Sequence, residues 1–192
     1  MSYERVSVKK ASSNAGRPKG KAAYIVLFDW EDIQTYTRDD KGVRVTAFAF
    51  KTGKKPIGIY ATDSTQNVFH QLSGNDDARG FIHHVDFEHP GDSLELNEFL
   101  ENNVNGRLGG ILVPCGDPDC KIAGLPCNPL KFTQDNGQSN NEGTKHTIQL
   151  VQSFAGAALG HISKQLIPIT DDAVVNSALG LPGTGGSVGD GL

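Results

Sequence analysis

Short runs of β-branched and aromatic residues, separated by turn-forming residues, dominate this 192-residue sequence. The densest run is AYIVLFDW at Ala23–Trp30, which is typical of a buried strand. Val43–Phe50 alternates apolar and polar residues as a half-buried strand does, and Phe81–Phe87 interleaves polar residues with apolar ones. The same pattern predicts further strands at Ile57–Ala61, Thr65–Leu72, Gly109–Pro114, Asn128–Thr133, Thr144–Phe154 and Gly160–Thr170. The last hairpin is predicted to turn through the polar segment Gln134–Glu142.

One segment has the spacing of a helix. Asp92 is the predicted N-cap, and Glu95 three residues later completes a capping-box pattern. Gly106 is suited to end the helix in the left-handed conformation. Steps of three and four residues place four apolar residues on the buried face: Leu96, Phe99, Leu100 and Val104. Many short strands with one helix predict a mainly β, α+β fold, a β-sandwich or barrel flanked by a single helix.

The N-terminus is basic, whereas the rest of the chain is acidic. Residues 1–22 carry six basic residues and one acidic residue, a local charge of +5, so the remaining residues carry −9 of the total of −4. A basic arm on an acidic body is typical of a segment that docks onto a neighbouring subunit. The candidate interface residues are Lys9, Lys10, Arg17 and Lys19. The alternative is a solvated, disordered tail.

The C-terminus also differs from a core segment. The stretch from Ala173 to Leu192 holds six glycines and almost no charge, which predicts a segment that cannot fold alone. The predicted organisation is therefore a basic arm at 1–22, a β-rich body at 23–170 and a Gly-rich arm at 171–192.

Several function classes have no support in the sequence. A net charge of −4 excludes a nucleic-acid binder held by bulk positive charge. Neither an apolar stretch long enough for a membrane span nor a signal-peptide core is visible, so we expect a protein made and kept in a cytoplasm. A GxSxG elbow and a GxxxxGK[ST] phosphate loop are missing, and Gly180–Gly186 has no helix behind it. We expect a non-enzymatic protein that uses no cofactor.

Three cysteines fall in one loop, as Cys115, Cys120 and Cys127. Structural zinc sites use closely paired cysteines with a second pair or histidines, and here a fourth ligand would have to come from His146 or His161. Free thiols are the favoured interpretation, since an odd count in a cytoplasmic chain argues against a disulfide framework. A small metal-binding protein using this loop remains the rival hypothesis.

Histidines cluster in one predicted strand. Residues two apart share a face of a strand, so His84 and Asp86 point together, whereas His83 points with Val85 and Phe87. A metal or acid–base pair would need a third group from another element. The favoured interpretation is a structural ladder of surface side chains.

Two runs resemble the tail-tube proteins of tailed bacteriophages. FIHHVDFEHPGDSLELNEFLENNVNGRLGGILVP is similar to their strand–helix–strand centre, and CNPLKFTQDNGQSNNEGTKHTIQLVQSF resembles their terminal hairpin. The resemblance covers residues 23–170 and implies a subunit that joins copies of itself into a ring, usually hexameric. Rings of this kind stack into a tube that conducts DNA without binding it specifically. The implied location is the virion tail, assembled in the host cytoplasm beside other virion proteins.

Three physical arguments agree with this resemblance. Sheet edges that pair across subunits are no longer exposed, an acidic lumen lets DNA slide, and arms and long loops add many weak contacts. The Gly-rich C-terminal segment is longer than a minimal tube subunit needs. A neck, connector or capsid-decorating protein therefore remains an alternative.

Overall fold

The computed structural model describes residues 5–141 and 143–182. Within these ranges the strands are β1 (Lys21–Asp29), β2 (Ile33–Arg38), β3 (Arg44–Phe50), β4 (Ile57–Tyr60), β5 (Asn67–Ser73), β6 (Gly80–Pro90), β7 (Leu108–Pro114), β8 (Asp119–Ala123), β9 (Leu130–Asn140), β10 (Gly143–Gln152) and β11 (Gly160–Ser163). The α-helices are α1 (Leu94–Asn103) and α2 (Ala173–Leu179). This content confirms the predicted mainly β, α+β class. No helix in the described ranges is long and apolar enough to cross a membrane.

The strands form one open, mixed sheet in the order β2-β3-β11-β8-β7-β9-β10-β6-β5, with β1 joining β7 and β4 joining β1. The pair β3–β11 is parallel, with His161 opposite Arg44, and the other pairs are antiparallel. The expected sandwich or barrel is thus an open sheet, because β2 and β5 end the strand order without pairing to each other.

Strand β1 lies between two apolar cores. Its alternate residues Ile25 and Leu27 belong to one core, whereas Val26 and Phe28 belong to the other. Strand β7 is shared in the same way, with Leu108 in the first core and Ile111 in the second. A strand that is buried on both faces reads as a continuous apolar run, which explains the sequence of Ala23–Trp30.

The first core packs between β1 and the β9–β10–β6 strands, and α1 contributes to it. Leu96 is buried there, and Phe99 and Leu100 pack partly buried against it, which confirms most of the predicted helix face. Val104 differs, because it lies beyond the last helical residue and is 56% exposed. The N-cap is Ser93 and not Asp92, since the Ser93 hydroxyl accepts a hydrogen bond from the Leu96 amide at 3.2 Å.

The C-terminal segment packs into the second core. The structure therefore corrects two predictions, that of a single helix and that of an arm beginning at residue 171. Asp172 caps α2 by accepting hydrogen bonds from the amides of the next turn, and Gly180 ends the helix at φ +61°. Val175, Leu179 and Leu181 are buried in the core. Residues 183–192 of the predicted arm lie outside the described ranges.

The strand boundaries also differ from the prediction in places. Gln134–Glu142, expected as a turn, lies largely in β9, which pairs with β10 as far as Asn140 opposite Gly143. The predicted last strand stops at Ser163, where a 3-10 turn at Lys164–Leu166 follows. Backbone pairing, rather than burial of alternate side chains, therefore holds the outer half of the β9–β10 hairpin.

Candidate subunit interface

One half of the sheet consists of four strands, β9, β10, β6 and β5. Its two outer edges, along β5 and along most of β9, are open. β5 ends the strand order, so its outer side carries no strand in the described part of the chain. On the opposite side, β9 pairs with β7 only where Leu130 faces Leu108. The outer side of residues 131–140 is therefore also unpaired by strands among the described residues. Adjacent strands alternate in direction, so β5 and β9 run antiparallel to each other.

The open edges of the sheet differ in how well they are protected against pairing. The edge strand β2 is interrupted by two register shifts, and β4 is only four residues long. Bulges and short length are two devices by which proteins block edge-to-edge association. β5, by contrast, is a regular seven-residue strand, and its sequence NVFHQLS contains neither proline nor lysine. At its end Leu72 remains 56% exposed. The edge of β5 is therefore open to another strand.

The outer face of these four strands, named here the polar face, is dominated by uncharged polar groups. Its registers follow from the pairing of each strand with the next. Every side chain on it is at least partly exposed. The face comprises Lys131, Gln134, Asn136, Gln138, Lys145, Thr147, Gln149, Val151, Ile82, His84, Asp86, Glu88, Asn67, Phe69 and Gln71. Six of these residues are amides, and the two carboxylates are matched by two lysines.

His84 and Asp86 lie at the centre of the polar face, as the alternation of the strand predicts. The imidazole of His84 stacks on the ring of Phe69, with 4.5 Å between the centroids and 7° between the planes. Burial raises the pKa of the Asp86 carboxyl, and the nearby His84 opposes this rise. His84 Nε2 and Asp86 Oδ1 are buried and lack a hydrogen-bond partner among the described residues. Among the residues that the structure describes, no third ligating group lies beside this pair to complete a metal site.

The basic arm residues occupy different environments. Residues 5–20 are exposed throughout, with Val6 67% and Val8 92% exposed. Lys19 forms an ion pair with Asp117 of its own chain, and this hydrogen bond raises the pKa of Lys19. Lys9, Lys10 and Arg17 are likewise exposed, and their role in a subunit interface stays a prediction.

The three cysteines are not gathered around a common centre. Cys115 and Cys127 are exposed, whereas Cys120 is buried in the second core. Burial raises the pKa of the Cys120 thiol to about 11, so it remains protonated at neutral pH. Within residues 5–141 and 143–182, no group of three or more His, Cys, Asp or Glu residues is arranged to hold a metal ion. His146 and His161 do not supply a fourth ligand to this loop.

His83 is a structural residue inside the protein. Its Nδ1 accepts a hydrogen bond from the Gly124 amide at 3.0 Å, and its Nε2 donates to the Ala157 carbonyl at 2.8 Å. Its backbone amide donates to the side chain of Gln152, which in turn donates to the Asn128 carbonyl. Burial lowers the pKa of the His83 imidazole to about 4. The ring is therefore neutral and fixes two loops to the first core.

Two further histidines pair with carboxylates, and the sequence did not reveal these pairs. His146 Nδ1 lies 3.0 Å from Asp135, and its Nε2 lies 3.6 Å from Asp92. His161 Nδ1 lies 2.6 Å from Asp119 on the adjacent strand β8. Each pair joins residues distant in sequence, so the strand register was needed to find them.

Comparisons of the chain with family models, with curated proteins and with solved structures found no match.

Proposed function

We propose that this protein is a structural subunit of a virion that assembles with its own copies into stacked rings, forming a phage tail tube through which DNA passes. The observation that carries this proposal is the four-stranded sheet β9–β10–β6–β5, which is open on both sides. Unpaired strand edges associate readily with other strands. A protein with two such edges on opposite sides of one sheet is suited to bind a copy of itself at each.

The directions of the strands favour a ring. Because β5 and β9 are antiparallel within one subunit, β9 of one copy meets β5 of the next in antiparallel pairing when the copies are related by rotation about a common axis. The two contacting surfaces differ, so the interface is head-to-tail. Such an interface closes into a ring when the rotation per subunit divides a full turn.

In this ring the polar face would line the channel. Amide side chains offer both donors and acceptors to water, and they carry no charge that would hold a phosphate. The polar face carries two carboxylates, Asp86 and Glu88, and two lysines, Lys131 and Lys145. These four charges cancel, so the polar face is close to neutral. The repulsive acidic lumen expected from the net charge is therefore replaced, in the present proposal, by a neutral hydrated surface along which DNA can slide.

Contacts between rings would come from the projecting segments. The exposed arm at residues 5–20 carries five basic residues and no acidic residue, and the body is acidic. The outer half of the β9–β10 hairpin extends as a strand pair to Asn140 and Gly143. Several weak contacts on each subunit add up to a stable polymer when many subunits join.

Electron microscopy of negatively stained protein over a range of concentrations tests the proposal. We expect rings or hollow tubes for the unaltered chain. The double variant Asn67→Lys/Gln71→Lys places two charges on the exposed β5 edge and should abolish them, because charged edge residues block strand pairing. The matched control, Thr35→Lys/Thr37→Lys on β2, alters an edge that is already bulged and should leave assembly unchanged.

The outcomes separate the alternatives. A dispersed monomer at high concentration would refute self-assembly. Rings that never stack would favour the neck or connector proposal over the tube. Equal loss of assembly in the β5 and β2 variants would place the interface elsewhere than on the edge of β5.

A further inference from the structure

The backbone of β5 faces β6 and the open edge at alternate residues. The amide and the carbonyl of Phe81 both bond to Gly156, on the side of β6 that is turned away from β5. Leu72 lies opposite Phe81, so it shares no backbone bonds with β6 and turns its own amide and carbonyl to the open edge. Every second residue of an antiparallel strand has this orientation. The outward-facing residues of β5 are therefore Val68, His70 and Leu72.

The backbone of β9 alternates in the same way. The carbonyl of Glu88 bonds to Thr62 and its amide to Thr65, both on the β5 side of β6. Thr147 lies opposite Glu88 and therefore turns its backbone groups away from β6, toward Asn136 of β9. Asn136 thus faces inward, and the residues on either side of it face the open edge. The outward-facing residues in this part of β9 are Asp135, Gly137 and Ser139.

The two open segments have the same length. A register shift at Thr133 interrupts the pairing of β9 with β10, and regular pairing then runs over the seven residues 134–140. β5 is a strand of seven residues, 67–73. When these two segments lie antiparallel in full overlap, each outward-facing residue of one lies opposite an outward-facing residue of the other. The facing residues are then Val68 and Ser139, His70 and Gly137, and Leu72 and Asp135.

We propose that β5 of one copy pairs with β9 of a neighbouring copy in this register, with Asn67 opposite Asn140 and Ser73 opposite Gln134. The inference rests on the ring assembly proposed above and adds which residues meet. Each of the three facing pairs exchanges two N–H···O bonds between the copies. A shift by two residues leaves only two such pairs. A shift by one residue would bring outward-facing groups opposite inward-facing ones and would interchange the two faces of the sheet.

The side chains that meet in this register are compatible. On the polar face Gln71 lies opposite Asn136, and two amides can each donate and accept a hydrogen bond. Phe69 lies opposite Gln138 on the same face. On the other face the exposed imidazole of His70 lies opposite Gly137, which has no side chain to obstruct it. No two like charges are directly opposed, an arrangement that would destabilise the pairing.

The register also gives an inclination at which a ring of strands can close. Gln134, Gln149, Asp86 and Asn67 form one row across the four strands, and Asn67 would face Asn140 of the neighbouring copy, six residues beyond Gln134. Six residues of about 3.3 Å against four strand spacings of about 4.8 Å incline the strands by about 46° to the ring axis. Strands in closed barrels are typically inclined by about 35–45°.

The registers shifted by two residues are less favourable for different reasons. In one of them the offset rises by two residues per copy, and the inclination would reach about 54°, outside the range of closed barrels. In the other the inclination is about 35°, which closure permits, but one of the three facing pairs is lost. The proposed register is the one that keeps all three pairs near the inclination of a closed barrel.

Disulfide formation between copies tests the register. Cys115 and Cys127, the exposed cysteines, are first replaced by serine. Gln71→Cys with Asn136→Cys then places two thiols at a directly opposed position, with Cα atoms about 4.5 Å apart, close enough for a disulfide. Within one subunit these positions are three strand spacings apart, about 14 Å, so a disulfide must join two copies. Oxidation of assembled protein should convert it into covalent oligomers on a non-reducing gel.

Two matched controls each report a shifted register. Gln71→Cys combined with Gln134→Cys, or with Gln138→Cys, places the thiols on diagonal positions about 7–8 Å apart, where a disulfide should not form. Both variants should therefore remain monomeric on the same gel. Negative-stain microscopy of each reduced variant verifies that it still assembles.

Hydrogen exchange of the unaltered chain is a second measurement that needs no substitution. On assembly all six outward-facing amides, three on β5 and three on β9, should become protected. In one shifted register Leu72 and Ser139 would stay in fast exchange, and in the other Val68 and Asp135 would do so.

The outcomes separate the register from the assembly itself. Cross-linking through Gln134→Cys or Gln138→Cys, or fast exchange at one of those residue pairs in assembled protein, would overturn the register and leave ring assembly standing. Rings that show neither cross-links nor protection of these amides would overturn the pairing of β5 with β9. Dispersed monomers at every concentration would refute the assembly, and the register with it.

Discussion

At the scale of single residues, His83 couples the stability of this protein to pH. Its imidazole is buried, and both ring nitrogens are used in hydrogen bonds, one accepting from the Gly124 amide and one donating to the Ala157 carbonyl. A protonated ring could no longer accept from Gly124, and its charge would be buried without a counterion. The folded protein therefore resists protonation of His83 down to a pKa of about 4.

The direction of the pH effect follows from the two protonation states. The unfolded chain takes up a proton at His83 near its ordinary pKa of 6.5, whereas the folded chain does so only near 4. Stability is therefore fully present above pH 6.5 and falls as the pH is lowered from 6.5 toward 4. A difference of this size is worth about 3 kcal/mol. Urea unfolding at pH 7 and pH 4.5 measures most of this difference.

A pair of histidine variants isolates this contribution. His83→Gln should lower stability at pH 7, because the buried hydrogen bonds are lost, and should flatten the decline between pH 7 and 4.5. His89→Gln, which alters a partly exposed ring, should retain the decline of the unaltered chain. The same slope in His83→Gln as in the unaltered chain would show that other groups cause the effect.

The position of a residue near the candidate interface was predictable from sequence only where alternation along a single strand determines it. Alternation along β6 correctly placed His84 with Asp86 and His83 with Val85 and Phe87. It could not identify the partners of His83, because Gly124 and Ala157 belong to loops far away in the sequence. The pair of His161 with Asp119 was hidden for the same reason.

At the scale of elements, the strands and helices that were predictable from sequence were those whose own apolar residues show a clear burial pattern. Ala23–Trp30 was clear because β1 is buried on both faces. The strand β8 was expected as a loop because it lies inside a cysteine-containing segment rich in turn residues. The helix α2 was missed because its few apolar residues cannot bury enough area alone, and they gain stability only by packing on a core built by distant strands.

The helix α1 offers a sharp test of the first core. Leu96 is buried and Leu94, two residues earlier, is 80% exposed. Leu96→Asp should destabilise the protein by about 4 kcal/mol or more, because apolar contacts are lost and a charge is buried without a partner. Leu94→Asp makes the same chemical change on the solvent side, and its midpoint in thermal unfolding should stay close to that of the unaltered chain. Similar midpoints for the two variants would mean that the buried face has been misassigned.

At the scale of the whole molecule, the separation of a basic arm from an acidic body leads to a prediction about the proposed assembly. A chain lacking residues 1–17 retains the ion pair of Lys19 with Asp117 and all the strands, so we expect it to fold normally. It should assemble poorly, because the basic arm can no longer reach an acidic neighbour. Sedimentation of the truncated and full-length proteins at equal concentration measures the difference.

Charge and chain length are separated by a second variant. Replacing Lys9, Lys10 and Arg17 with glutamine keeps the arm but removes three charges. If electrostatics drives docking, this variant should assemble as poorly as the truncated protein, and added salt should weaken assembly of the full-length chain in the same direction. Normal assembly of both variants would leave the arm without a role.

Because β1 and β7 contribute side chains to both cores, the stability of each core depends on the other. Loss of either core would strip one face from the same two strands, so neither half can open while the other remains intact. Unfolding is then expected as a single cooperative transition, without a half-open form that exposes apolar surface. If copies associate as proposed, a single subunit would present only its native strand edges to them, and this association would compete with little aggregation.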